Sequence, residues 1–234
     1  LECHQEYQGE SQLTAHTHHA ASSSGSLCYN CHMPHTSYGL LKAIRSHQIS
    51  SPDVSVDLAT GRMNACNLCH LDKTLGWTAD HLTSWYGIKP PVLDEEQKSI
   101  SASVLQLLTG DAGQRALMAW HLGWPVAQAI SGTEWIAPQL SILLEDPYDA
   151  VRYIANRSLS TLPGYEQWSF DFLSPAENRV EARKEAVSLW RRRRTGSPNE
   201  SNPAVLLGSD GDLEQASQQQ LLRRRSDREI YLRE

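Results

Sequence analysis

The chain has 234 residues, a formal net charge of −6, and 21% charged against 40% apolar residues. That balance excludes the usual nucleic-acid binder, whose phosphate-facing surface pushes the total basic. No apolar run reaches the roughly 20 residues that span a bilayer as a helix, and no secretory signal is visible.

Residues 1–90 are rich in Ser, Thr, Gly, His and Pro, and seven of the ten histidines fall before residue 50. The chain opens Leu1-Glu2-Cys3-His4. His16, His18 and His19 follow, then Cys28-Tyr29-Asn30-Cys31-His32. A short helix is predicted over Ser37–Arg45, with His47 just beyond it. Cys66-Asn67-Leu68-Cys69-His70 comes next, and a second short helix is predicted around Thr78–Tyr86. No long helical period appears before residue 90, so this part is poorly equipped to fill a core with its own side chains.

Pro90-Pro91 breaks the chain, and its character changes. Ile100, Val104, Leu107 and Leu108 repeat at helical spacing. Leu117, Trp120 and Trp124 mark a second helix, ended or kinked at Pro125. Ile136, Leu140, Leu143 and Leu144 mark a third. Asp146-Pro147 reads as an N-cap followed by Pro at the first helical position, and Val151, Ile154, Leu159 and Leu162 make a fourth helix closed by Pro163-Gly164. Ser174-Pro175-Ala176-Glu177 reads as a capping box. It opens a helix with Val180, Val187 and Trp190 on one face and Arg191–Arg194 at the negative end of its dipole. Residues 195–220 read as a partly disordered linker, and the last dozen as a short docked tail.

The two C-x-x-C-H pentapeptides carry the chemistry. Two thiols three positions apart sit on one side of a helical turn and can form thioethers to both vinyl groups of one haem. The following His presents a nitrogen to the iron. Cys28, Cys31, Cys66 and Cys69 are thus the expected attachment residues, with His32 and His70 as proximal ligands. A further Cys before Leu1 would make Cys3 and His4 part of a third motif, so we expect the chain to begin inside one. The five cysteines are then two pairs plus Cys3. A four-thiolate zinc site would need a shorter gap than that from Cys31 to Cys66. Disulfides explain neither the repeated spacing nor the histidines.

A haem that carries electrons usually has a ligand on its far face as well. In an extended strand His18 and His19 point to opposite faces, and His47 lies on a separate segment between the motifs. These three are the expected distal ligands. His16, His35 and His81 read as surface or supporting groups, and His121 as a packing histidine.

The order His19, Cys28-x-x-Cys31-His32-Met33-Pro34, His47-x-Ile49-x-x-Pro52 and Cys66-x-x-Cys69-His70 resembles multihaem cytochromes of the cytochrome c nitrite reductase type. That resemblance implies distal roles for His19 and His47. The stretch Ile136–Leu162 resembles a HEAT repeat, and the combination looks like exported multihaem cytochromes fused to helical repeats. The C-x-x-C-K motif that holds the substrate haem of nitrite reductases is missing from this sequence, so nothing transfers the nitrite activity.

The expected fold is mainly α. Residues 1–90 form an irregular multihaem cytochrome c segment, 91–165 a short HEAT-like repeat domain, and 166–234 a C-terminal helix, linker and tail. The expected function is electron transfer by at least two covalent haem c groups, with a third at Cys3-His4. The helical repeats would dock a redox partner protein. Thioether attachment places the chain outside the cytoplasm, in a periplasmic or similar compartment. The alternatives are a multihaem oxidoreductase acting on a small nitrogen or sulfur species, and a repeat-based scaffold.

Overall fold

Capping residues set most helix boundaries in the computed structural model, which describes residues 4–39, 41–193, 201–228 and 230. Those residues are 56% helical, with twelve α-helices and one two-stranded sheet. Helix α1 (Glu10–Thr17) ends at His18, which takes the left-handed conformation (φ 56°), and α2 (Cys28–His32) carries the first C-x-x-C-H. The helix expected over Ser37–Arg45 is instead an antiparallel hairpin of β1 (His35–Gly39) and β2 (Lys42–Arg45), with Tyr38 opposite Ala43. Both strands pack on a later helix. That non-local contact outweighs the weak local preference of a nine-residue stretch.

Helix α3 (Val54–Thr60) starts at Asp53, whose carboxylate accepts from Ser55 N and Val56 N, and it stops at Gly61 (φ 69°). Helix α4 (Leu75–Tyr86) covers the second short helix expected. Thr74 caps it, and it ends at Gly87 (φ 66°), a left-handed position that Gly takes without steric cost.

Helix α5 (Glu95–Ser99) opens with an Asp94–Gln97 capping box. The four later helices expected are found as α6 (Ala102–Thr109), α7 (Ala112–Leu122), α9 (Ile136–Ile142) and α10 (Asp149–Leu159). Between them, Pro125 neither extends nor kinks α7. It opens a separate α8 (Pro125–Ser131) from the first helical position. Helix α7 packs on α6, α10 and both strands, and α9 packs on α10. One apolar core runs from Ala43 to Leu221 and crosses Pro90-Pro91 without a break. Leu71, Leu107, Leu108, Met118, Ile136, Leu140 and Leu144 are fully buried in it. Before Ala43 the one buried apolar side chain among the described residues is Pro34.

Asp146 is not the N-cap of α10. That helix starts at Asp149, and the Asp146 carboxylate is held by Arg115 through Nε–Oδ2 at 2.6 Å and Nη2–Oδ1 at 3.0 Å. Both side chains are fully buried. Arg115 also donates to Gly110 O and Ser226 O, which ties α7 to the tail. Asp146→Asn removes the compensating charge and keeps one acceptor. It should cost at least about 2 kcal/mol, read as a lower urea midpoint at unchanged m-value.

Helix α11 (Ala176–Arg193) buries Ala186 and Trp190 against α9, while Val180 stays exposed. The capping box expected there is not made, because Ser174 Oγ has no hydrogen-bond partner among the described residues. The linker expected over 195–220 is ordered where described, from 201 onward. Val205, Leu206 and Leu207 are buried, and α12 (Gln215–Leu222) packs on α6. Gln139 donates to Val205 O at 2.7 Å, and Gln218 donates to Gln139 Oε1 at 3.3 Å. Three consecutive apolar residues anchor a segment whose average composition is polar. Residues 194–200, with Arg194, lie outside the described residues. The tail docks as expected: Ser226 N donates to Thr109 O, Arg224 pairs with Glu96, and Arg228 with Asp111.

Candidate cofactor site

The first pentapeptide is held from below by one arginine. Arg45 of β2 donates through Nη1 to Tyr29 O (2.8 Å) and Met33 O (3.0 Å), and through Nη2 to Asn30 Oδ1 (2.6 Å). Its guanidinium also lies 4.5 Å from the centre of the Tyr29 ring. The hairpin therefore supplies the cation that closes the C-terminal end of α2. The His32 ring is oriented by an Nδ1 contact of 2.9 Å to Ser50 O. A hydrogen on Nδ1 leaves the Nε2 lone pair for a metal, as is usual for ligating histidines.

The second pentapeptide forms a 3-10 turn at Cys66–Leu68. Asn64 Oδ1 accepts from Cys66 N at 2.9 Å, and its Nδ2 donates to Asp57 Oδ2 at 2.6 Å. The fully buried Asn67 donates to Lys73 O and accepts from Thr78 Oγ1. His121 of α7 reaches Leu68 O through Nδ1 at 2.9 Å. The packing histidine read from the sequence is thus a support of this turn. Its neighbour His35 is buried among Trp120, His121 and Trp124, and burial pushes it down to about 4.

All four described cysteines are free thiols. Burial, then the neighbouring Cys31, pushes Cys66 and Cys69 up to about 12. Among the described residues no three His, Cys, Asp or Glu side chains converge on a metal-ion site. The two C-x-x-C pairs do not come together as a four-thiolate centre.

Each proximal candidate faces a second imidazole. The rings of His19 and His70 are 6.0 Å apart between centres, and those of His16 and His32 are 6.1 Å apart. Two imidazoles on opposite faces of one iron stand about 6 Å apart: a metal–nitrogen bond of about 2 Å on each side, plus about 1 Å from each nitrogen to its ring centre. The His19 ring is oriented by an Nδ1 contact of 2.6 Å to Thr17 O, again leaving Nε2 free. A Cβ at Gly25 would overlap the His19 ring, so glycine permits that close approach. His16 lies against Tyr7 at 4.4 Å, and Tyr86 Oη donates to His16 O at 2.6 Å. Burial lowers the pKa of both His16 and His70, which favours the neutral ring a metal needs. The two histidine pairs have the ring separation that a metal ion held between them would require.

Compared with protein-family models, curated proteins and solved structures, the chain matches none.

The other expected ligands lie elsewhere. His18 stacks on Trp85 at 4.3 Å and faces neither proximal ring. His47 is exposed, with no hydrogen bond or ring contact to the described residues. His4 is exposed beside Glu6, and Cys3 lies outside the described residues. The partner facing His32 is thus His16, which the sequence reading set aside. Residues 16–19 are not an extended strand: His16 and Thr17 end α1, His18 is its left-handed cap, and His19 lies beyond it, turned toward a different partner. The signal was available, because Glu10–Thr17 contains no Gly, Pro or β-branched run.

Asp57 offers a test of the second turn. Loss of water pushes its carboxyl from 3.8 up to about 6, against the Asn64 hydrogen bond. The folded chain binds this proton more tightly than the unfolded chain. The resulting stability is fully present below the unfolded value and is lost as pH rises through about 6. Asp57→Asn should flatten that slope. It should raise stability at pH 7 by no more than about 1–2 kcal/mol, because the group is partly screened by solvent. Urea titrations at pH 4, 5, 6 and 7 would check it.

Proposed function

We propose that the chain is the haem-binding part of a multihaem c-type cytochrome that carries electrons, with haem c attached at Cys28 and Cys31 and at Cys66 and Cys69. The observation that carries this reading is the double pairing of His32 with His16 and of His70 with His19 at the spacing of axial ligands. A second observation supports it. Among the described residues before Ala43, Pro34 is the one buried apolar side chain, and Leu27, Tyr29 and Leu41 stay exposed there. Such a segment lacks a core that large apolar groups would supply.

A bound haem supplies one-electron exchange at its iron. The chain's own residues do the rest. Cys28, Cys31, Cys66 and Cys69 would hold the two groups covalently, and His32 with His16 and His70 with His19 would supply nitrogen ligands. Ser50 O and Thr17 O keep the imidazoles turned. A second imidazole opposite each proximal candidate would favour electron transfer over catalysis on a small nitrogen or sulfur species. Cys3 and His4 would contribute to a third site. Attachment of this kind implies an extracytoplasmic location, and electron carriage implies a redox partner protein.

Intact mass after acid denaturation tests the reading. Chain made with export and haem-attachment machinery should run heavier than the bare polypeptide by at least two haems. A mass equal to the polypeptide would overturn the proposal.

A further inference from the structure

The two proximal histidines are held in different ways. The His32 ring is bonded to Ser50 O, and Ser50 N donates back to His32 O at 2.9 Å. The His70 ring makes no hydrogen bond to the described residues, and Trp77 packs on it at 5.0 Å. Its direction must therefore be set mainly by its backbone. That backbone is bracketed by one hydroxyl. Ser131, the last residue of α8, donates from Oγ to Cys69 O at 2.8 Å and accepts from Leu71 N at 2.8 Å. A hydroxyl has one donor and two acceptor sites, so both bonds form together. They grip the peptide groups on either side of His70.

The grip continues along the loop. Ser103 of α6 donates to Leu71 O at 2.6 Å, Ala102 N donates to Lys73 O at 3.0 Å, and His121 of α7 engages Leu68 O. Ser103 and His121 are buried, where a lost partner is costly. Three helices after Pro90-Pro91 thus aim their polar groups at four residues around His70: Leu68, Cys69, Leu71 and Lys73. A surface reserved for a partner would not do this.

We propose that Ser131 is a positioning residue that fixes the orientation of His70, and that helices α6, α7 and α8 are the frame of the second attachment site. This rests on the haem reading above. It adds that the helical part bonds directly to the second loop and reaches the first only through the hairpin that lies on α7.

The test uses the full chain with its haems attached, in three forms: unaltered, Ser131→Ala and Ser131→Thr. The low-spin paramagnetic resonance signal of each haem is assigned by comparison with a Cys66→Ser/Cys69→Ser chain. Ser131→Ala should move the signal of the haem at His70, leave that of the haem at His32 in place, and speed amide exchange at Leu71 at least tenfold. Ser131→Thr keeps the hydroxyl and should restore both readouts. A His70 signal that does not move, a joint shift of both signals, or a threonine variant that behaves like alanine would overturn the proposal. If the unaltered chain carries no haem, the functional reading fails instead. Leu71 exchange in the haem-free chain then still decides the clamp, and an unchanged rate overturns it.

Discussion

Replacing His16 or His19 with Ala should each convert one haem, and only one, from low spin to high spin and let it bind carbon monoxide. The reason is stoichiometric. Each proximal candidate has one facing imidazole in the structure, at 6.1 Å from His32 or 6.0 Å from His70 between ring centres. Alanine removes the nitrogen and puts nothing in its place. The neighbours cannot substitute: His18 is committed to Trp85, and its backbone is turned into the left-handed region at the end of α1. The double variant should bind two equivalents of carbon monoxide. His18→Ala and His47→Ala should leave both of these haems low spin. The resemblance to nitrite-reductase-type cytochromes implies a distal role for His47, whereas the structure leaves that residue exposed. The His47→Ala spectrum separates the two. If neither His16→Ala nor His19→Ala binds carbon monoxide, the axial pairing is wrong.

Local sequence rules accounted for a good part of this molecule. Helical spacing located α6, α7, α9 and α10, and their ends follow from caps such as the Asp111–Gln114 box. The two C-x-x-C-H segments stand out in the sequence by their cysteine spacing. What escaped depended on contacts far along the chain. The hairpin at 35–45 exists because it lies on α7 and because Arg45 serves the carbonyls of α2. Asp146 had the pattern of a helix cap, but a buried Arg115 31 residues earlier claims its carboxylate. The ordered segment from 201 was hidden because its apolar content is concentrated in Val205, Leu206 and Leu207. The buried amides of Gln139 and Gln218, both polar on any hydropathy scale, secure it. In the site, His16 was missed because a run of His and Thr was read as extended. The one-residue left-handed turn at His18 then changes which ring faces which haem site.

Without haem, the chain should divide near residue 34, ahead of the hairpin that packs on α7. The part before that point should lose its protection while the rest stays folded. Burial sets the division. Among the described residues before Ala43 the one buried apolar side chain is Pro34, and the other buried groups are polar: Ser26, Asn30 and His35. Helix α1 has eight residues and α2 has five, too short to be stable alone in water. From Val54 onward the situation reverses. Val54, Met63, Leu68, Leu71 and Leu75 join the core formed with α6 and α7, and Ser103, His121 and Ser131 hold the loop between them. That packing needs no cofactor. Amides of residues 10–32 in the haem-free chain should therefore exchange within about tenfold of unstructured rates. Those of α6, α7 and α10 should be slower by roughly a thousandfold or more, as expected of core helices. Haem attachment should restore protection to α1 and α2 while changing α10 little. Equal protection across residues 10–32 and 102–159 without haem would show that the N-terminal part has a core of its own, and would remove the structural reason for placing haems there.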